Sequence, residues 1–139
     1  MRVIGLMSGT SLDGIDAALV SFDGDASDLR WSLEAFVTIP YDDERRDRIH
    51  RAIVDGSAAI LCRLHADLGE WFAEAALRVC EEAGIPPSSV DLIGSHGQTV
   101  WHEPPGPEVR GATLQLGDAA TIAERTGIPV VSDFRVRDV

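Results

Sequence analysis

The chain has 139 residues, 45% of them hydrophobic, and a formal net charge of −11 from 23 acidic and 12 basic residues. That length fits one domain able to bury a core, and with no basic stripe against 23 carboxylates, nucleic acid is excluded as the expected partner. All 12 basic residues are Arg, which rules out a P-loop Lys and Schiff-base chemistry; no run approaches a membrane span and no signal-peptide pattern opens the chain, so the cytoplasm is the expected compartment.

Two apolar runs, Val3 to Met7 and Ile15 to Phe22, flank a polar turn and read as a β-hairpin. Its loop, Ser8 to Gly14, holds two glycines free to take positive φ and bring backbone N–H groups together. Thr10 and Ser11 add hydroxyl donors, a combination suited to phosphate oxygens. Asp13 and Asp16 would repel a bare phosphate, so a divalent cation between them and the ligand would make sense of both. An ordinary Gly- and Asp-rich turn accounts for the same residues.

A turn over residues 23–28 leads to a third strand, Leu29 to Pro40, and Tyr41 to Val54 reads as a short charged helix. Ser57 to Ala83 reads as a long one, because Leu61, Leu64, Leu68, Trp71 or Phe72, Ala75 and Val79 form a single apolar stripe. Gly84 and Pro86-Pro87 end it. Cys62 and Cys80 lie about 27 Å apart on this helix, too far to pair, and read as buried small hydrophobes. His65, beside the stripe, reads as a half-buried histidine with its bonds satisfied, and His50 as solvated.

Val90 to Ser95 is a short buried strand, His96 to Thr99 a loop, and Thr113 to Leu116 another strand. Asp118 caps a helix running to Arg125, Gly127 closes it, and Ile128 to Ser132 returns as a strand. The order is βββ, helices, β, then β-α-β: a mixed α/β sheet in which three antiparallel strands lead into parallel βαβ, with helices packed on it, as in a ribonuclease-H-like half. Ligands gather at the carboxyl ends of such strands, which would bring the Ser8 loop, His96 to Thr99 and Ser132 to Arg135 together.

Two further stretches carry chemistry. His96-Gly97 at a strand end leaves an imidazole open, and the Gln98 amide suits sugar hydroxyls or an acetamido group. A strand-capping His96 with Trp101 in a minor cluster is the plain structural account. His102-Glu103 has no third ligand at zinc-like spacing and reads as surface loop. Asp133 and Arg135 sit where a buried strand delivers them to its carboxyl end, with Arg135 able to hold a carboxylate or phosphate. A surface ion pair among Asp133, Arg135, Arg137 and Asp138 fits equally.

Taken together, Gly5-Leu-Met-Ser-Gly-Thr-Ser-Leu-Asp-Gly-Ile-Asp16, Gly97-Gln-Thr-Val-Trp-His-Glu-Pro104, Thr113-Leu-Gln-Leu-Gly-Asp118 and Asp133-Phe-Arg-Val-Arg-Asp138 resemble the signatures of the anhydro-N-acetylmuramic acid kinases, in order and over essentially the whole chain. The resemblance implies an actin-like ATPase fold, with ATP bound between two duplicated halves. It implies ATP-dependent opening of 1,6-anhydro-N-acetylmuramic acid with phosphorylation of O6, in peptidoglycan recycling. It puts the ATP phosphate loop on Gly9, Thr10, Ser11, Leu12, Asp13, Gly14, Ile15 and Asp16, with Mg²⁺ as companion. The sugar side falls on His96, Gly97, Gln98, Thr99, Asp133 and Arg135. Met7 stands where many relatives of the wider superfamily carry a cation-associated Asp. The family's chains are more than twice as long, and the Asp expected to activate water belongs to a later motif. The resemblance therefore implies that residues 1–139 are an N-terminal domain without the catalytic base or the adenine lobe. A stand-alone binding module built on the same half, or a homodimer that rebuilds a two-lobed cleft, are the competing expectations.

Overall fold

The computed structural model describes residues 1–25 and 27–138, the last by its backbone alone; Ala26, inside the expected 23–28 turn, and Val139 lie outside the described residues. Strands β1 (Arg2–Ser8), β2 (Gly14–Asp23) and β3 (Arg30–Pro40) form the expected antiparallel meander. Alternation decides their faces. Ile4 and Leu6 pair with Leu19 and Ala17 on the buried face, and Gly5 and Met7 pair with Ala18 and Asp16 on the other.

Asp42 caps α1 (Asp43–Asp55), accepting from the Arg45 N–H at 2.7 Å. Tyr41, expected to open this helix, precedes it and is buried. Helix α2 (Ala58–Ala83) buries Leu64, Leu68, Phe72, Ala75 and Val79 against the sheet, as the stripe requires, and stops at Gly84 with φ 67°. Cys80 is buried in that stripe, but Cys62 is exposed, off the stripe and outside the core. The Arg45 and Arg48 guanidiniums lie 4.8 and 5.3 Å from the Trp71 ring centroid, and Arg48 also pairs with Asp67, which fixes α1 upon α2.

Strand β4 (Leu92–Glu103) runs parallel to β1 and includes His96 to Thr99, which the sequence suggests as a loop; Gln98 and Thr99 are paired, and the register against β1 shifts by one residue between Ser95 and Gln98. Gly97 makes this continuation feasible: its φ is 76°, and an added Cβ would lie 2.8 Å from the Leu116 carbonyl oxygen. Strand β5 (Ala112–Leu116) pairs antiparallel with the outer half of β4 and so does not belong to a parallel β-α-β unit. The Pro104 to Gly111 connection can only reverse the chain, whereas a parallel crossover needs about a dozen or more residues. Helix α3 (Ala119–Thr126), capped by Asp118 and closed by Gly127, leads to β6 (Val130–Ser132), which pairs parallel with the inner half of β4. A 3₁₀ turn, Phe134–Asp138, follows.

The sheet order is β3-β2-β1-β4, with β5 and β6 sharing the far edge of β4, so the mixed ribonuclease-H-like arrangement is present. Helices α2 and α3 cover one face, where Ile4, Leu6, Ile15, Leu19, Ile93 and Ile122 join the core. The other face carries exposed Met7, Leu33, Phe36 and Val131. Among the described residues no helix is long and apolar enough to cross a membrane.

Candidate functional site

Register sets the site. Leu6 of β1 pairs with Ser95 of β4, Ser95 with Ser132 of β6, and Ser8 with Gln98. Parallel register therefore sets the Ser8 loop at the end of β1, His96 within β4 and Asp133 just after β6 at one level of the sheet.

The loop from Gly9 to Asp13 has its carbonyls drawn back into the protein. The Gly9 carbonyl accepts from Gln98 Nε2 at 3.0 Å, the Leu12 carbonyl from Arg46 Nε at 3.2 Å, and the Asp13 carbonyl from the Tyr41 N–H at 3.1 Å. Thr10 and Ser11 are exposed, and among the described residues their N–H groups meet no acceptor. Three engaged carbonyls and two free N–H groups leave this loop with backbone donors available to an acceptor. The positive φ in this loop belongs to Leu12, at 54°, and to neither Gly9 nor Gly14. Leu12 is 9% exposed, so core packing holds the unusual backbone.

The two glycines do different work. At Gly9 an added Cβ meets nothing nearer than Ser11 Oγ at 3.8 Å, so the backbone there stands open to a ligand. At Gly14 the same atom would lie 2.4 Å from the Ile39 carbonyl oxygen. Gly14 is thus required by the approach of β3. Gly14→Ala is expected to lower unfolding stability by about 1–3 kcal/mol by forcing β2 and β3 apart; an unchanged denaturation midpoint would contradict this.

Beneath the loop lies a buried polar network. Tyr41 OH donates to Ser8 Oγ at 2.9 Å, and Ser8 Oγ sits 2.6 Å from Gln98 Oε1 and 2.8 Å from the Gly14 carbonyl, with one proton to share. Burial pushes the Tyr41 hydroxyl up to about 12, so it stays a donor at neutral pH. Gln98 Nε2 donates to the Thr99 carbonyl as well as to Gly9. Gln98 is 0% exposed. The amide expected to meet a sugar is instead enclosed, and it holds the loop in shape. Thr99 is also buried, its hydroxyl accepting from Gln115 Nε2 at 3.3 Å.

Of the remaining loop residues, Ile15 is in the core, whereas Asp13 is exposed. The Ser11 hydroxyl, and then Asp13's own backbone N–H, hold the Asp13 carboxyl below the usual range, so it is ionised. Asp16 stands on the uncovered face with Met7 and accepts from Thr38 Oγ1 at 2.6 Å. The two carboxylates serve different partners, and among the described residues no group of three or more His, Cys, Asp or Glu forms a metal cluster.

Across β4 lies a cavity of about 300 Å³, lined by His65, Ser95, His96, Asp118, Ser132 and Asp133 among others. His96 Nε2 lies 3.1 Å from Arg135 Nη1. A guanidinium only donates, so Nε2 accepts, and the ring proton sits on Nδ1, 3.1 Å from the Gly97 carbonyl. Asp133 has φ 58°, a conformation that Asp tolerates, and this turns the chain sharply off β6 toward Arg135. Among the described residues Arg135 and Arg137 meet no carboxylate; the side chain of Asp138, part of the suggested ion pair, lies outside them. Among the described residues two buried side-chain polar atoms have no partner, Ser95 Oγ and Arg135 Nε.

His65 and Arg46 are functional candidates that sequence reasoning missed. His65 Nδ1 accepts from the Gly117 N–H at 3.0 Å, as a satisfied half-buried histidine should, but the ring also lines the cavity. Its Nε2 lies 3.9 Å from Asp118, whose carboxyl is held low chiefly by the Thr121 hydroxyl. Arg46 resembles any other charged residue of a polar helix, and only the folded chain aims it at Leu12.

The family model for anhydro-N-acetylmuramic acid kinase matches residues 1–139. Curated relatives bearing that name include one from Caldanaerobacter subterraneus subsp. tengcongensis, 49% identical over 143 residues, and one from Salinibacter ruber, 50% identical over 144. Each alignment covers 99% of this chain and 36% of the relative. A third, from Bacillus cereus strain G9842, is 42% identical over 142 residues, covering 100% of this chain and 37% of the relative. Among solved structures, Thermus thermophilus RuvC aligns with a TM-score of 0.41 at 13% identity, over 95% of this chain and 63% of its own. The chain spans about a third of the length of the curated relatives it matches. Because the family model matches over residues 1–139, the chain belongs to the anhydro-N-acetylmuramic acid kinase family.

Proposed function

We propose that residues 1–139 supply the phosphate-holding loop and one wall of the sugar pocket of an ATP-dependent kinase acting on 1,6-anhydro-N-acetylmuramic acid. The observation that carries this reading is the loop whose carbonyls are engaged by Gln98, Arg46 and Tyr41 while the Thr10 and Ser11 N–H groups are free. ATP supplies the phosphoryl group that O6 receives once water opens the anhydro bridge at C1. The chain's own part is to bind and orient: Thr10, Ser11 and Gly9 take phosphate oxygens, while His96, Asp133 and Arg135 face the sugar.

The ionised Asp13 beside the free N–H groups fits Mg²⁺, which is commonly held by one or two carboxylates together with substrate phosphates. Asp16, turned to the other face, does not fit that role. No general base is assigned on these residues, and loss of a base alone costs about 10²–10⁴-fold.

Two purified proteins test the reading: residues 1–139, and a chain of the family's full length carrying them. With ATP, Mg²⁺ and the anhydro-sugar, the long chain is expected to form the 6-phosphate and the short one none. Product from residues 1–139 alone, with host kinase excluded, would contradict the division of labour. A long chain that binds ATP but never phosphorylates this sugar would overturn the substrate.

A further inference from the structure

We propose that Ser95 is a substrate-contacting residue, whose hydroxyl bonds an uncharged polar group of the sugar and helps to set sugar specificity. The inference rests on the sugar-pocket reading above and adds a residue to it. Ser95 lies level with Leu6 and Ser132 on the helix-covered face of β4 and is 1% exposed. At that depth a hydroxyl is normally bonded, because a buried unsatisfied one is costly. Ser95 Oγ has no partner, although it borders the cavity of about 300 Å³.

That volume is at the lower end of small-ligand sites and about ten times the share of one water molecule. The lining mixes polar residues, His65, His96, Gln115, Asp118, Ser132 and Asp133, with apolar Leu116 and Ala119. A serine hydroxyl both donates and accepts, so it suits a neutral oxygen or N–H. The charged part of the ligand would then fall to Arg135, which is outside the cavity lining but bonds His96 of that lining and has a buried Nε without a partner among the described residues.

Stability and binding should move in opposite directions, which no purely structural serine would do. In a full-length chain carrying these residues, Ser95→Ala removes a buried hydroxyl without a partner, so the ligand-free Tm should hold or rise by about 1–3 °C. The same change should raise KM for the anhydro-sugar about tenfold, equivalent to 1.4 kcal/mol, and leave KM for ATP unchanged. Ser95→Thr, which keeps a hydroxyl, should restore most of the sugar affinity.

An unchanged sugar KM in Ser95→Ala would overturn the proposal. So would a lowered Tm with sugar and ATP use impaired together, since that marks a structural hydroxyl. Arg135→Ala separates the two levels of inference. If it weakens sugar use while Ser95→Ala does not, only the Ser95 assignment fails; if neither does, the sugar-pocket reading fails with it.

Discussion

Gly9→Val in a full-length chain is expected to abolish phosphorylation, cutting kcat/KM for ATP by about 100-fold or more while leaving the fold intact. The expectation follows from where the new atoms go. An added Cβ at Gly9 would meet only Ser11 Oγ, at 3.8 Å, and Gly9 does not use positive φ, so the protein has room for the side chain. The space it fills is the space through which phosphate oxygens would reach the Thr10 and Ser11 N–H groups. Phosphoryl transfer depends on positioning and charge stabilisation, so an occluded cradle costs rate even where some nucleotide still binds. Gly9→Ala should give an intermediate loss. Near-normal turnover in Gly9→Val, with Tm unchanged, would reduce the loop to a turn.

The second large effect is expected at Arg135. Arg135→Ala should weaken use of the anhydro-sugar far more than ATP binding, by about 2–5 kcal/mol if a buried charge pair with the lactyl carboxylate is lost. The prediction is motivated by two observations: Arg135 faces His96 Nε2 at 3.1 Å and, among the described residues, has a buried Nε without a partner. The variant also removes the donor that holds His96 with its proton on Nδ1, which adds to the loss. Arg135→Lys should recover little, since an ammonium cannot reproduce the planar guanidinium fork. Sugar kinetics unchanged in Arg135→Ala would return this residue to the surface.

What could be read locally was legible. The α2 stripe, the Asp118 cap and the glycine stops at Gly84 and Gly127 each depend on residues within a turn or two, and the structure has all of them. The antiparallel meander followed from alternation. The errors lie where distant residues decide. His96 to Thr99 looks like a loop because it is short, polar and contains Gly97, yet β1 and β5 pair with Gln98 and Thr99 and keep β4 continuous past the register shift at His96 and Gly97. Gln98 looks like a ligand-binding amide, but Ser8, 90 residues away in sequence, and Tyr41, 57 away, enclose it. Gly14 looks like a loop hinge, and the need for it comes from β3.

The same limit applies to the site. Strand order anticipates that the Ser8 loop, His96 and Asp133 lie at one level of the sheet, but the contacts among them are tertiary. The role of Leu12 as the positive-φ residue, and of Arg46 as the clamp on its carbonyl, exists only once α1 is fixed on α2. Ser95 gave no signal at all, since an isolated serine on a buried strand is unremarkable until its hydroxyl is found without a partner.

The central claim, that free backbone N–H groups of this loop receive nucleotide phosphates, has a direct measurement. In a full-length chain labelled with ¹⁵N at Thr and Ser, titration with ATP and Mg²⁺ should shift the Thr10 and Ser11 amide protons strongly downfield, as expected for N–H groups that gain charged acceptors. The Ser57 amide, at the start of α2, should stay in place. Saturable nucleotide binding that leaves the Thr10 and Ser11 amides unmoved would contradict the account.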